Sequence, residues 1–423
     1  MKSLYDVLEE RGLISQCTDE ELRDKLIKEK CTVYIGFDPT ADSLHLGSMV
    51  PIMVLAHYQR SGHTAIALVG GATGMVGDPS GKSEERNLLT AEQVKENVAG
   101  IRKQLSHFLD FDGDNPALLL DNHDWIGPMS FIDWLRDVGK YFNLNVMLGK
   151  ESVKARLASD AGLSYTEFSY QTMQAYDFLH LFDHHGCTIQ GGGSDQWGNI
   201  TAGIDLIRKA RGKSAYGLTS PLITTAKGEK FGKSAGNAIW LDPNRTSPYK
   251  YYQYWINTDD RDVERYLKFF TFLPIEEIEE IMRAHEEAPG RREAQRRLAI
   301  ESTTLVHGQE GLDKALRASQ VLFGGEIDGM SDGELSEIFA DVPSIEIGRE
   351  RLNDGIGLID LLHEAGACKS KGEARRDITG GGIYINNERQ GDIERVVTED
   401  DLATETILVL RKGKKNYRMV RFT

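Results

Sequence analysis

Between Thr64 and Val69 the chain is apolar after its first residue, and the run stops at two glycines, Gly70 and Gly71. A strand with one wet face would alternate polar and apolar residues. A short unbroken run instead marks a strand buried on both faces, which is how parallel sheets covered by helices read. Val33–Phe37 has the same character, while Leu118–Asp121 and Cys187–Gln190 read as further strands entering loops, with helical patterns such as Ala91–Leu109 between them. This spacing predicts an α/β fold: a Rossmann-like parallel-sheet domain whose ligand sits beyond the carboxyl ends of the strands. From Ser247 and Pro248 the pattern turns helical, with apolar residues three and four apart over 259–272, 275–287 and 291–305. A glycine- and acid-rich stretch, 323–350, then reads as a linker. From about Ile356 the pattern gives a short helix, a capping box at Ser370 and Glu373, a helix closed by Gly380, and a hairpin over Ile383–Gln390. The expected organisation is a catalytic domain over 1–220, a loop and linker over 221–246, a helical domain over 247–322, a linker over 323–355, and a small α+β unit over 356–423.

Composition narrows the function classes. The chain has 423 residues, 40% hydrophobic and 27% charged, and a net charge of −15. A body so acidic repels polyanions, so any nucleic-acid contact must come from a local patch. One such patch lies at the end of the sequence, where Arg411, Lys412, Lys414, Lys415, Arg418 and Arg421 occur with no acidic residue among them. A second basic run, Arg208, Lys209, Arg211 and Lys213, reads as a solvated helix end. The start, Met1–Glu10, reads as an acidic amphipathic helix without the apolar core of a secretory signal. No segment approaches a membrane span. Cys17, Cys31, Cys187 and Cys368 are scattered, which indicates neither a zinc ribbon nor a disulfide framework, and a reducing cytoplasm fits.

Several segments carry chemistry. His45, Gly47 and Ser48 lie at the predicted start of a helix, where free amides and the dipole favour phosphate. Gly47 leaves room for a nucleotide against the backbone. Lys230 and Lys233 flank Gly232 in a loop that also holds Gly228 and Gly236, so both lysines are expected to close on phosphates. Taken alone, each segment has a bland alternative: a capped surface helix and a solvated turn. The loop Gly70–Ser83 fails two familiar patterns. Gly77 and Gly81 enclose three residues where a Walker A loop needs four, and the glycines at 71, 74 and 77 step by three, unlike the dinucleotide fingerprint. Tyr170, Gln174 and Asp177 fall at i, i+4 and i+7, one face of a helix. Burying that carboxylate without partners would be costly, so a polar pocket is the better account of the stripe. Gly191–Asn199 reads as another strand-end loop, and Asn122 as a pocket support at a further strand end.

The pairing of Tyr34–Ser48 with Lys230–Ser234 resembles the HIGH and KMSKS signatures of class I aminoacyl-tRNA synthetases. The segments between them resemble tyrosyl-tRNA synthetases in particular, and the likeness extends from Val33 to the basic end. It implies activation of tyrosine by ATP to tyrosyl-adenylate and pyrophosphate, followed by transfer to the terminal adenosine of tRNA(Tyr). Catalysis would come from positioning and electrostatics, with Mg²⁺ held mainly by phosphate oxygens, no metal ligands from the protein and no permanent cofactor. By resemblance, Asp177 and Tyr34 hold the phenolic hydroxyl, and Asp78, Tyr170 and Gln174 the ammonium, while Gln196 reaches the carboxylate. Asp38, Thr40, His45, Gly47, Gly193, Asp195, Lys230, Lys233 and Ser234 meet ATP. Lys82 and Arg86 approach the pyrophosphate. Ser48 stands where the family usually has a second histidine, so it offers a hydroxyl without a cation. The terminal unit resembles the small S4 RNA-binding domain, with Lys371, Arg375, Arg376, Lys412, Lys414 and Lys415 as RNA contacts. Members of the family are homodimers; Phe131–Gly139 could supply the apolar face, or be an internal helix. Two alternatives stand beside this reading: a non-catalytic structured-RNA-binding protein that retains the fold, and a tryptophan-charging relative.

Overall fold

The computed structural model describes residues 2–80, 89–158, 162–228, 231–234, 237–327, 329–340, 342–414 and 416–423; for residues 152, 155, 233, 234 and 237 it describes the backbone alone. Contacts divide the chain into two compact units, residues 1–246 with 251–308, and residues 247–250 with 309–423.

The first unit is built on a six-stranded sheet. Its strands are β1 (Gln16–Cys17), β2 (Thr32–Phe37), β3 (Thr64–Val69), β4 (Leu118–Asp121), β5 (Ile189–Gly193) and β6 (Tyr216–Ser220), arranged β1-β6-β5-β2-β3-β4. Pairings from β6 through β4 are parallel, and β1 alone runs antiparallel at the edge. The unbroken apolar run behaves as expected: β3 lies inside the sheet, paired at both edges, and Ala65 to Val69 are all buried, so neither of its faces meets solvent there. Strand order reverses between β2 and β5, and in open parallel sheets the crevice beyond such a reversal is where ligands bind. Two details differ from the sequence reading. The strand expected over 187–190 begins at Ile189 and takes in the glycines up to Gly193. The helix expected near Leu44 begins with a 3₁₀ turn, Leu46–Ser48, before Met49–Arg60, so His45 has extended backbone and does not share a helix face with Ser48.

The long helix Tyr165–His185 packs beside the sheet. Ser164 and Glu167 form a capping box at its start, and Gly186 ends it in the left-handed region with φ +60°. These two stops fix the register of Tyr170, Gln174 and Asp177. The helices Asp260–Phe270 and Ile275–Glu287 fall where the three- and four-residue spacing puts them. They belong to the same compact unit as the sheet, so residues 251–308 do not form the separate helical domain the pattern shift implied.

The second unit contains a five-stranded sheet, in the order 388–390, 383–385, 407–412, 416–422 and 344–347. Its last pairing is parallel and uses Ser344–Ile347, and the helix Asp332–Ile338 has its own capping box at Ser331 and Glu334. The stretch read as a linker is therefore structured, and its glycines and acids conceal Ile345, Ile347, Leu335 and Ile338, which join the unit's cores. The hairpin over 383–390 forms as expected, turning through Asn386 and Asn387 at φ +47° and +68°. Ser370 caps the helix Lys371–Thr379 by accepting from the Glu373 amide. The Glu373 carboxylate accepts from Lys369 N and Lys412 Nζ, so the expected box is only half made. Gly380 is the C-cap that closes this helix, as expected, and Gly381 after it takes the left-handed turn at φ +67°.

Candidate active site

The carboxyl ends of the parallel strands surround a cavity of about 560 Å³. Tyr34, Asp38, Thr40, His45, Gly47, Ser48, Asp78, Asn122, Tyr170, Gln174, Asp177, Gly193, Asp195 and Gln196 line it, so residues spread over more than half of the unit's sequence are brought to one place. Lys82, Arg86 and Lys230 lie outside the described residues, as do the side chains of Lys233 and Ser234 and the whole of Lys415.

At the buried end, Asp177 is 2% exposed. Its Oδ2 accepts from Asn122 Nδ2 at 2.9 Å and its Oδ1 from Trp125 Nε1 at 2.8 Å. Burial still dominates and pushes its carboxyl up to about 8, against those two donors. Tyr34 is buried beside it; its hydroxyl donates to the Gln174 carbonyl at 3.4 Å, and burial, with the Asp177 charge, raises its pKa well above the usual range.

A polar chain runs from here along the cavity. The other Asn122 Nδ2 hydrogen goes to Thr73 Oγ1 at 3.0 Å, Thr73 donates to Asp38 Oδ1 at 2.8 Å, and Tyr170 donates to Asp38 Oδ2 at 2.8 Å. Ala72 N donates to Asn122 Oδ1 at 2.8 Å, so every polar atom of that amide has a partner. Across the cavity, Gln196 Nε2 donates to Asp78 Oδ2 at 2.7 Å, and Asn199 Nδ2 donates to Gln174 Oε1 at 3.0 Å and Gln196 Oε1 at 3.1 Å. Thr73, Trp125 and Asn199 escaped the sequence reading, although each lies inside a segment it singled out. Their signal was adjacency to a named residue, and contact across the fold decides which neighbour matters.

The outer end joins the two phosphate-seeking segments. Leu46 N donates to Ile239 O, and Leu241 N to Leu44 O, both at 2.9 Å, so the strand returning from the lysine loop pairs with the His45 segment. Gly232 has φ +77°, and a Cβ there would lie 3.0 Å from Leu46 Cβ and 3.1 Å from Gly47 N. Phe231 is buried against Tyr254, Trp255, Tyr266 and Phe270, stacking on Phe270 at 5.1 Å between centroids. A Cβ on Gly47 would approach the His45 ring to 2.8 Å, which is why only glycine leaves that imidazole where it is.

A cavity with this polar lining, closed at one end by a carboxylate and bordered at the other by two glycine-spaced segments, belongs to a recognisable group of proteins. Residues 26–324 match the family of class I tRNA synthetases for tryptophan and tyrosine, and residues 334–420 match the C-terminal domain of SYY-like tyrosine–tRNA ligases. The tyrosine–tRNA ligase of Rhodopirellula baltica is 53% identical over 421 residues, 99% of this chain and 96% of its own length. That of Roseiflexus castenholzii is 53% identical over the full length of both. The chain belongs to the tyrosyl-tRNA synthetase family.

A solved tyrosyl-tRNA synthetase, the C-terminally truncated mitochondrial enzyme of Aspergillus nidulans, superposes with a TM-score of 0.69 at 36% identity, covering 76% of this chain and 94% of that one. In the present chain, residues of the expected RNA face divide by environment. Arg375, Arg376 and Lys414 are exposed. Lys371 pairs with Asp360 at 2.8 Å, and Lys412 lies 2.7 Å from both Glu373 and Asp377, so its charge is balanced within its own unit. Arg411 is buried, with its guanidinium 3.7 Å above the Tyr384 ring. The segment Phe131–Gly139 is not an internal helix: Phe131 is 62% exposed and Ile132 67%. A further expectation concerns Gly232. In Gly232→Ala, the left-handed backbone costs about 1 kcal/mol and the new methyl presses on Leu46. Pyrophosphate exchange should fall roughly tenfold while tyrosine affinity, read by equilibrium dialysis, stays unchanged.

Proposed function

We propose that the cavity holds tyrosine and ATP together for formation of tyrosyl-adenylate, and that the protein then charges tRNA(Tyr). The observation that carries this reading is Asp177: a buried carboxylate with two fixed donors beside the Tyr34 hydroxyl, at the closed end of a cavity. A phenolic hydroxyl would give Asp177 a third donor and a neighbour for the Tyr34 oxygen, whose own hydrogen goes to the Gln174 carbonyl. Phenylalanine would supply neither and would set an apolar edge against two buried polar groups, at a cost of about 1–3 kcal/mol. Asp78, Tyr170 and Gln174 hold the ammonium and Gln196 the carboxylate. Asp38, Thr40, His45, Gly47, Gly193 and Asp195 seat the nucleotide, Ser48 adding a hydroxyl near its phosphates.

The tyrosine carboxylate attacks the α-phosphorus and pyrophosphate leaves. No side chain forms a bond to substrate, so the protein contributes alignment and charge stabilisation. Mg²⁺ enters with ATP, on its phosphates. Lys82, Arg86, Lys230, Lys233 and Ser234 meet the departing pyrophosphate, where charge grows most. Lys233→Ala is accordingly expected to slow adenylate formation about a hundredfold with little change in tyrosine binding; equal losses in both would remove that role.

The exposed apolar surface of Phe131, Ile132 and Leu135 supports a homodimer, and Arg375, Arg376 and Lys414, with Lys371, an RNA-binding face on the C-terminal unit, to which the sequence adds Lys415. None of the described helices is long and apolar enough to cross a membrane, and cytoplasmic residence fits. The deciding experiment is ATP–pyrophosphate exchange with tyrosine, phenylalanine and tryptophan in parallel. Exchange with tyrosine alone is expected. A folded sample inactive with all three would favour a fold retained for RNA binding.

A further inference from the structure

Both donors to Asp177 stand on one very short element, the helix His123–Ile126 and its cap Asn122, but Asn122 is buried and the Trp125 indole only half-buried. Something must hold that ring if its N–H is to stay 2.8 Å from the carboxylate. The ring face lies flat on the imidazole of His180, with centroids 4.3 Å apart and planes at 10°. His180 is three residues beyond Asp177 on the helix Tyr165–His185, so one rigid helix supplies both the carboxylate and the plate that orients its donor. His184, one turn further on, is exposed, with its ring centroid 4.3 Å from that of His180 and its plane tilted by 38°. Burial, and then the neighbouring His184 and His185, hold the His180 pKa down at about 4, so the plate is neutral at ordinary pH and brings no cation toward the pocket.

We propose that His180 is a positioning residue for recognition of the substrate hydroxyl: stacked on Trp125, it fixes the indole N–H on Asp177 and so sets the orientation in which the carboxylate meets the phenol. This rests on the assignment of Asp177 to the hydroxyl end of the pocket.

The test is the ratio of kcat/KM for tyrosine to that for phenylalanine in pyrophosphate exchange, measured on the full-length protein. His180→Ala should lower the ratio roughly fivefold, the loss of one well-aligned hydrogen bond, with Tm and the KM for ATP unchanged. His180→Phe, which keeps a flat ring on the indole, should restore the ratio. In a Trp125→Phe background, where the donor is already gone, His180→Ala should have no further effect. The proposal is overturned if His180→Ala leaves the ratio unmoved, if His180→Phe fails to restore it, or if the same loss recurs without Trp125. Asp177→Asn separates the two levels: should it leave the ratio unchanged, the pocket assignment is at fault and not the stack.

Discussion

Asp177→Ala is expected to reduce kcat/KM for tyrosine about a thousandfold, roughly 4 kcal/mol, while leaving phenylalanine nearly as poor a substrate as before. The size follows from what the change orphans. The substrate hydroxyl loses a charged acceptor, and Asn122 and Trp125 both lose theirs inside a buried site. An unchanged ratio of tyrosine to phenylalanine would place the hydroxyl elsewhere. The same residue sets a pH dependence. Its carboxyl is raised to about 8 in the empty pocket, so a tyrosine hydroxyl that donates to the carboxylate must displace a proton. Affinity for tyrosine should therefore rise with pH up to about 8 and then level, and Asp177→Asn should abolish that slope. Stability moves the other way. The unfolded chain releases this proton near 3.8 and the folded protein near 8, so between those values the unfolded state holds fewer protons and Asp177 lowers the Tm as pH climbs. Melts of the ligand-free protein and of Asp177→Asn, compared across that window, isolate the contribution.

A chain ending at Leu322 should keep tyrosine-dependent pyrophosphate exchange within about twofold and lose tRNA charging by more than about a thousandfold, since each lost phosphate contact weakens binding steeply at moderate salt. The cavity proposed to hold tyrosine lies wholly within residues 1–246 and 251–308. Arg375, Arg376 and Lys414 all lie in the part removed. A cut near residue 350 is a poorer choice, because it would strand Ser344–Ile347, whose partner is the final strand. Charging that survives the deletion would move the RNA contact to the first unit, where Arg208, Lys209, Arg211 and Lys213 form a basic run.

The sheet was legible because its strands are buried on both faces, so Ala65–Val69 could be placed without knowing their neighbours. The helix stripe of Tyr170, Gln174 and Asp177 was legible for the opposite reason, being too polar for a core. What the sequence hid depends on contacts between residues far apart in the chain. Residues 323–355 look like a linker because glycines and acids outnumber the few apolar residues that fix them, and the parallel pairing of Ser344–Ile347 is set by a strand some seventy residues further on. Thr73 is an ordinary threonine until Asn122 and Asp38 close on its hydroxyl from either side. The basic tail reads as one patch, yet folding turns Arg411 inward and gives Lys412 to two acids.

The amide of Asn122 divides its two hydrogens between Asp177 and Thr73, and through Thr73 it reaches Asp38 and Tyr170. The two ends of the proposed amino-acid site are thus joined by a hydrogen-bond chain, and energies of groups within one hydrogen-bond network do not add. Losses from single changes at Asp177 and Tyr170 should not sum in the double variant. Directed evolution toward another amino acid faces the same constraint: a new side chain at the far end disturbs the grip on the ammonium, so a working variant must replace the relay as a block.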